Sequence, residues 1–186
     1  MKKRVFVGIS VSKSLSSFIY DFIKRNKGSL PSDARIIKPR NLHLTLVPPW
    51  YEENLDSFLL NFEKKLKSMQ IQPFKIQFTK IFPGPVKTNP RLIWIEGKPK
   101  PELLNLKSFV EGIIEKRDVE KREFIPHITI ARFKSKNSCQ FKEEKIKFEE
   151  TIKSFCIFES RLSPKGADYK VLKKFITSSS YKKAKC

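Results

Sequence analysis

"NLHLTLVPPW" occupies residues 41–50, and its first half alternates strictly. Leu42, Leu44 and Leu46 fall on one side, His43 and Thr45 on the other. That period of two is the mark of a strand with one buried face. "FIPHITIARF" (124–133) repeats the pattern, with His127 and Thr129 set against Ile128 and Ile130. The chain has only two histidines, and both stand in this frame, 84 positions apart. Two matching strands, each after a helix-containing segment, predict two similar lobes facing each other.

The flanking sequence fits that scheme. "RVFVGISV" (4–11) alternates as a strand. After it, Leu15, Phe18, Ile19, Phe22 and Ile23 recur at helical spacing, with Ser12 or Ser14 to cap the start and Gly28 to end it. "RIIK" and "LHLTLV" read as short strands, the second closed by Pro48 and Pro49. A second helix is predicted from about Asn54 to Met69. "FKIQFTKIF" and "LIWIEG" read as strands on either side of the proline-rich loop "PGPVKTNPR" (83–91). A third helix is predicted over about Pro101 to Lys116.

"HITIARF" is again a strand. A charged stretch (134–150) then leads to the strands "TIKSFCIFESRL" and "KVLKKFIT". Strands and helices mix without regular βαβ alternation, and no glycine-rich phosphate loop follows the first strand. The expectation is an α+β fold, bilobal, with two mostly antiparallel sheets facing a central cleft and helices on the outer sides. Residues 1–177 read as one domain, and 178–186 as a basic tail.

Composition narrows the function. Lys and Arg number 39 against 19 Asp and Glu in 186 residues, a formal charge of +20 that points to an anionic partner. No apolar run reaches the roughly 18 residues needed to span a bilayer. Cys139, Cys156 and Cys186 form no CxxC pair, which fits a reduced, cytoplasmic setting without a disulfide framework or zinc knuckle. With two histidines and scattered cysteines, no zinc ligand set can be assembled. Asp33, Asp56 and Asp118 lie in polar stretches and read as cap or loop residues; Trp50 and Trp94 adjoin strands and read as packed.

A histidine alone on a half-polar strand is more often structural than catalytic. The repeated frame changes that reading. Two polar faces meeting across a cleft would offer two imidazoles and two hydroxyls. One imidazole could take a proton from water and the other give one to a departing oxygen. The hydroxyls could donate hydrogen bonds to phosphate oxygens in the transition state. Arg132 is the local candidate for a guanidinium clamp, although strict alternation points it away from His127 unless the strand bulges or ends there.

"HLTL" (43–46) and "HITI" (127–130) resemble the paired HΦTΦ motifs of the 2H phosphoesterases. "RVFVGI", "PRNLHLTL", "NPRLIWIEG" and "ESRLSPKGADYKVLKKF" extend the resemblance toward the RNA 2′,3′-cyclic phosphodiesterases, also called 2′-5′ RNA ligases. The resemblance implies metal-independent opening of a 2′,3′-cyclic phosphate to a 2′-phosphomonoester, with no cofactor. It implies His43 as proton donor, His127 as proton acceptor, and Thr45 and Thr129 as phosphate-binding residues. "VPPW" departs from the family pattern after the first motif, so the rim of the cleft is expected to differ.

The implied partner is RNA with a 2′,3′-cyclic phosphate end, tRNA fragments and small cyclic nucleotides included. No membrane partner is expected, and the chain is expected to be a monomer. Two alternatives accompany this reading: 2′-5′ RNA ligation by the same site, and a non-catalytic basic RNA-binding module.

Overall fold

The alternating runs become strands and the longer periodicities helices. The computed structural model describes residues 2–67, 69, 71–86, 88–114, 123–134, 140–164 and 166–177. Among them the order is β1 (Lys3–Ser10), α1 (Lys13–Arg25), β2 (Arg35–Ile36), β3 (His43–Glu52), α2 (Leu55–Leu66), β4 (Phe74–Gly84) and β5 (Leu92–Gly97). There follow α3 (Pro101–Ile114), β6 (His127–Arg132), β7 (Glu144–Ile152), β8 (Ser154–Ser163) and β9 (Gly166–Ile176). The predicted basic tail at 178–186, Cys139, Cys186, Asp118 and the expected end of the third helix at 115–116 lie outside the described residues.

Helices α1 and α2 start where the sequence offers caps. The Ser12 hydroxyl accepts from the Leu15 amide at 3.1 Å, and Lys24 and Arg25 sit in the last turn of α1, against the negative end of its dipole. Asn54 caps α2 in the same way through Ser57. Leu15, Ile19 and Phe22 of α1, Phe62 of α2, and Leu103, Leu106, Val110 and Ile113 of α3 are buried in one apolar cluster. That cluster also takes in Leu44 and Leu46 of β3 and Ile128 and Ile130 of β6. The helices therefore pack on the face that carries the leucines and isoleucines, and leave the histidine face open.

Strand order is β7-β4-β5-β6-β3-β1-β8-β9, with β2 paired to β6, and every pairing is antiparallel. The α+β, antiparallel expectation is met. Where two separate sheets are expected, however, hydrogen bonding joins two four-stranded halves into one path through a single residue pair, Leu44 with Ile128. The outermost strand β7 is separated from β8, on the other half, by Lys153 alone. Strands six places apart can be that close in the chain only if the sheet bends about the β3–β6 seam.

Three local readings are corrected. Residues 144–152, which take in the end of the stretch read as a charged run and the first two residues of "TIKSFCIFESRL", form the edge strand β7, where half-buried Ile146 and Phe148 alternate with exposed Lys145, Lys147 and Glu149. Charge on the solvent side of an edge is what keeps it from pairing with other chains. β3 does not stop at Pro48 but runs to Glu52. Val5 pairs with Trp50 and Val7 with Val47, so an extra residue is accommodated at the proline pair, where a missing N–H costs no ladder bond. α2 ends at Leu66, short of the predicted Met69.

Candidate active site

The one pair that joins the halves lies at the centre of both motifs. Leu44 separates His43 from Thr45, and Ile128 separates His127 from Thr129. Carried one residue either way, the antiparallel register sets His43 opposite Thr129 and Thr45 opposite His127. The two motifs are thus related by an approximate twofold axis through the Leu44–Ile128 pair. Both side chains of this pair point into the core, 2% and 1% exposed, so both histidines and both threonines, half-buried, share the other face.

Each imidazole is held in the same way. His43 Nδ1 lies 2.7 Å from the Asn41 carbonyl oxygen, and His127 Nδ1 lies 2.8 Å from that of Ile125. A carbonyl can only accept, so Nδ1 carries the hydrogen on both rings and Nε2 is left with its lone pair. The rings are braced by aromatic neighbours. Phe6 and Tyr169 approach His43 at 4.8 and 5.0 Å between centroids, and Trp94 lies 4.3 Å from His127.

Two glycines permit this packing. A Cβ on Gly8 would come within 2.8 Å of the Leu44 carbonyl oxygen and 3.5 Å of His43 Cδ2. One on Gly84 would come within 3.0 Å of the Trp94 ring.

The axis extends to a pair of bulges. Val7 pairs with Val47 but Gly8 with Thr45, so Leu46 is an extra residue in β3; Ile93 pairs with Ala131 but Trp94 with Thr129, so Ile130 is extra in β6. Leu46 and Val47 are both buried, as are Ile130 and Ala131, which breaks the alternation. The next residue is thereby returned to the histidine face. In β6 that residue is Arg132, and its charge acts on both imidazoles. In β3 it is Pro48. The cation therefore comes from one half only, and the strand bulge supplies the turn of face that strict alternation denies Arg132.

Burial pushes both imidazoles below their ordinary pKa. The hydrogen bonds to Asn41 and Ile125 oppose this, whereas the Arg132 guanidinium adds to it. His43 is further lowered by His127, while His127 is favoured in its charged form by Glu96, its partner across β5 and β6. Glu96 is itself paired with Lys80 at 3.0 Å.

Several of these supports are invisible to a reading of local pattern. Asn41 is 6% exposed, and besides holding His43 through its carbonyl it ties the site to β9: its amide donates to the Ala167 oxygen at 2.9 Å, and its oxygen accepts from the Tyr169 amide at 3.2 Å. Those partners are more than a hundred residues away in the chain. Trp94 is packed, as expected, and what it packs on is His127. Trp50 lies against Phe58 instead, with its Nε1 near Glu52. Asp33 accepts from the Lys134 amide, a loop role, and Asp56 sits in the first turn of α2.

Cys156 is buried and free. Among the described residues no three of His, Cys, Asp and Glu gather closely enough to hold a metal ion, and no helix is long and apolar enough to cross a membrane. A cavity of about 810 Å³ opens at the His43 end of the seam, bordered by Asn41, Arg132 and Tyr169.

Comparison with known proteins bears on this arrangement. Residues 23–159, which include both motifs, match the 2'-5' RNA ligase superfamily. An RNA 2',3'-cyclic phosphodiesterase of Archaeoglobus fulgidus is 30% identical over 179 residues, spanning 92% of this chain and 99% of its own. One of Methanocaldococcus jannaschii is 27% identical over 181 residues, with the same coverage of 92% and 99%. Among solved structures, a Thermus thermophilus protein superposes with a TM-score of 0.79 at 21% identity, covering 94% of this chain and 97% of its own. Escherichia coli LigT complexed with 3'-AMP gives 0.76 at 16% identity, over 96% and 100%. At those identities the structural likeness establishes the fold.

Proposed function

The chain belongs to the 2'-5' RNA ligase superfamily, and from that premise we propose that it opens RNA 2′,3′-cyclic phosphate ends to 2′-phosphomonoesters by paired-histidine acid–base catalysis, without a metal. One observation carries the reading. Two imidazoles from opposite halves share a face across the Leu44–Ile128 pair, each with Nδ1 tied to a main-chain oxygen. Two fixed Nε2 atoms facing one anion can relay a proton across it; a binding module has no need of them.

In the proposed reaction His127 Nε2 takes a proton from water as the water oxygen attacks phosphorus. The P–O3′ bond breaks on the opposite side, and His43 Nε2, protonated, gives its proton to the departing O3′. One P–O bond forms and one breaks, and the proton count balances. Burial keeps His127 neutral near pH 7, as a base must be. His43 must carry a proton, and the negative charge of a bound phosphate favours one there.

Thr45 and Thr129 donate to the non-bridging oxygens, and Arg132 holds one of them. The open cavity supports the assignment of roles: it lies at the His43 end, so the nucleoside with its O3′ is accommodated on the donor's side and water on the other.

The test is turnover of an oligonucleotide ending in a 2′,3′-cyclic phosphate, in EDTA. Turnover is expected to persist in the chelator and to yield the 2′-phosphate. His43→Ala and His127→Ala should each lower kcat by about 10²–10⁴-fold. Loss of activity with EDTA would reject the metal-free mechanism, and full activity in either variant would reject the residue assignment.

A further inference from the structure

The cavity at the His43 end is lined by neither imidazole, so it is room beyond the reacting phosphate. We propose that it is a track for the RNA strand on the 5′ side of the cyclic end, making an oligonucleotide a better substrate than a cyclic mononucleotide; this rests on the hydrolytic reading above. Its volume of about 810 Å³ is near the top of the range of roughly 300–1,000 Å³ that small-molecule sites occupy, although the reacting group lies outside it.

Charge and composition fit a single strand. Arg35, Lys38, Arg40, Arg132 and Lys134 line the cavity against two carboxylates, Asp33 and Asp168. Arg40 is paired with Asp168 at 2.9 Å, but among the described residues no ion pair neutralises Arg35, Lys38 or Lys134. Arg35 and Arg132 stand directly opposite each other across β2 and β6. Like charges so placed repel, and a strand phosphate on the Arg35 side would relieve the repulsion while Arg132 keeps the reacting phosphate. Tyr169 supplies an aromatic ring on the same wall. A basic groove with an aromatic side chain is the combination that holds single strands without reading their sequence. On β4, by contrast, Lys80 is matched by Glu96 and Lys75 by Glu149.

The experiment compares kcat/KM for a cyclic mononucleotide and for a tetranucleotide with the same cyclic end. Wild type is expected to favour the tetranucleotide by roughly tenfold or more. Arg35→Gln/Lys38→Gln should erase that preference and leave mononucleotide turnover unchanged. The log–log salt dependence for the tetranucleotide should become shallower by about 1.4, about 0.7 for each cation removed. Should the double variant fail to fold, Lys38→Gln alone, at an exposed position, should move both readouts the same way.

Lys145→Gln/Lys147→Gln on the far edge strand removes equal charge and should keep the preference. Equal kcat/KM for the two lengths in wild type, or equal loss of preference in the far-edge variant, would overturn the track. If wild type turned over neither substrate, the hydrolytic reading would fall by itself. The track would then be judged by anisotropy with a 2′-phosphate-ended tetranucleotide, and binding undiminished in Arg35→Gln/Lys38→Gln would overturn it.

Discussion

Glu96 lies opposite His127 in the β5–β6 register. The equivalent place beside His43 is held by Ser10. The approximate twofold symmetry of the motifs therefore fails at a charge. One imidazole has a carboxylate to favour its protonated form, and the other has a neutral hydroxyl-bearing residue in that place.

Replacing Glu96 by Gln turns that asymmetry into a measurement. Without the carboxylate, and with Lys80 left unmatched, the His127 imidazolium is disfavoured and its pKa falls. If His127 is the base, the acid limb of the kcat/KM–pH profile of Glu96→Gln should move to lower pH while the alkaline limb stays. Movement of the alkaline limb instead would make His127 the proton donor and reverse the roles.

Asn41 should act as a positioning residue. Asn41→Ala removes two hydrogen bonds and leaves the Ala167 oxygen and Tyr169 amide without partners in the part-buried β9 wall. A stability loss of about 1–3 kcal/mol is expected. The carbonyl that holds His43 remains but is no longer anchored. kcat is therefore expected to fall about 10–100-fold with little change in KM, as for outer supports elsewhere. A stability loss with wild-type kcat would show that the amide serves the fold alone.

The histidines also predict how stability depends on acid. Both titrate below their ordinary value of 6.5 in the folded chain, chiefly through burial. Between the folded values and 6.5 it is the unfolded chain that binds the extra protons. Their contribution is therefore fully present above pH 6.5 and lost as the pH falls through the folded values. Urea unfolding at pH 7.5 and 5.5 should show a larger loss in wild type than in His43→Gln/His127→Gln. Equal losses would place the acid sensitivity in the carboxylates.

The sequence makes legible what depends on near neighbours. Alternation in "HLTL" and "HITI" places the four candidate side chains on one face, and the apolar periodicity finds the three helices of the described residues. What escapes it is decided across the sheet. Ile146 and Phe148 alternate in β7, but the surrounding charges mask a strand that exists because β4 supplies its partner. Pro48 and Pro49 look like a stop until β1 is seen to admit a bulge there. Ser10, Glu96 and Tyr169 carry no local sign of a role, because each owes its place to a pairing or packing contact with a distant segment.

Arg132 shows how far a register shift reaches into chemistry. The extra residue Ile130 returns Arg132 to the histidine face, whereas the equivalent bulge at Leu46 delivers Pro48. At the equivalent place β3 therefore supplies no second cation. Arg132→Ala should lower kcat/KM by about 10–100-fold, and Arg132→Lys should recover only part, since an ammonium restores charge without the two-pronged grip on phosphate oxygens. Its charge also lowers both imidazoles. Both limbs of the pH profile should then shift to higher pH in Arg132→Ala and return toward wild type in Arg132→Lys. A fall in rate with an unmoved profile would mean that Arg132 grips the substrate without acting on the histidines, and an unchanged rate would remove it from the site.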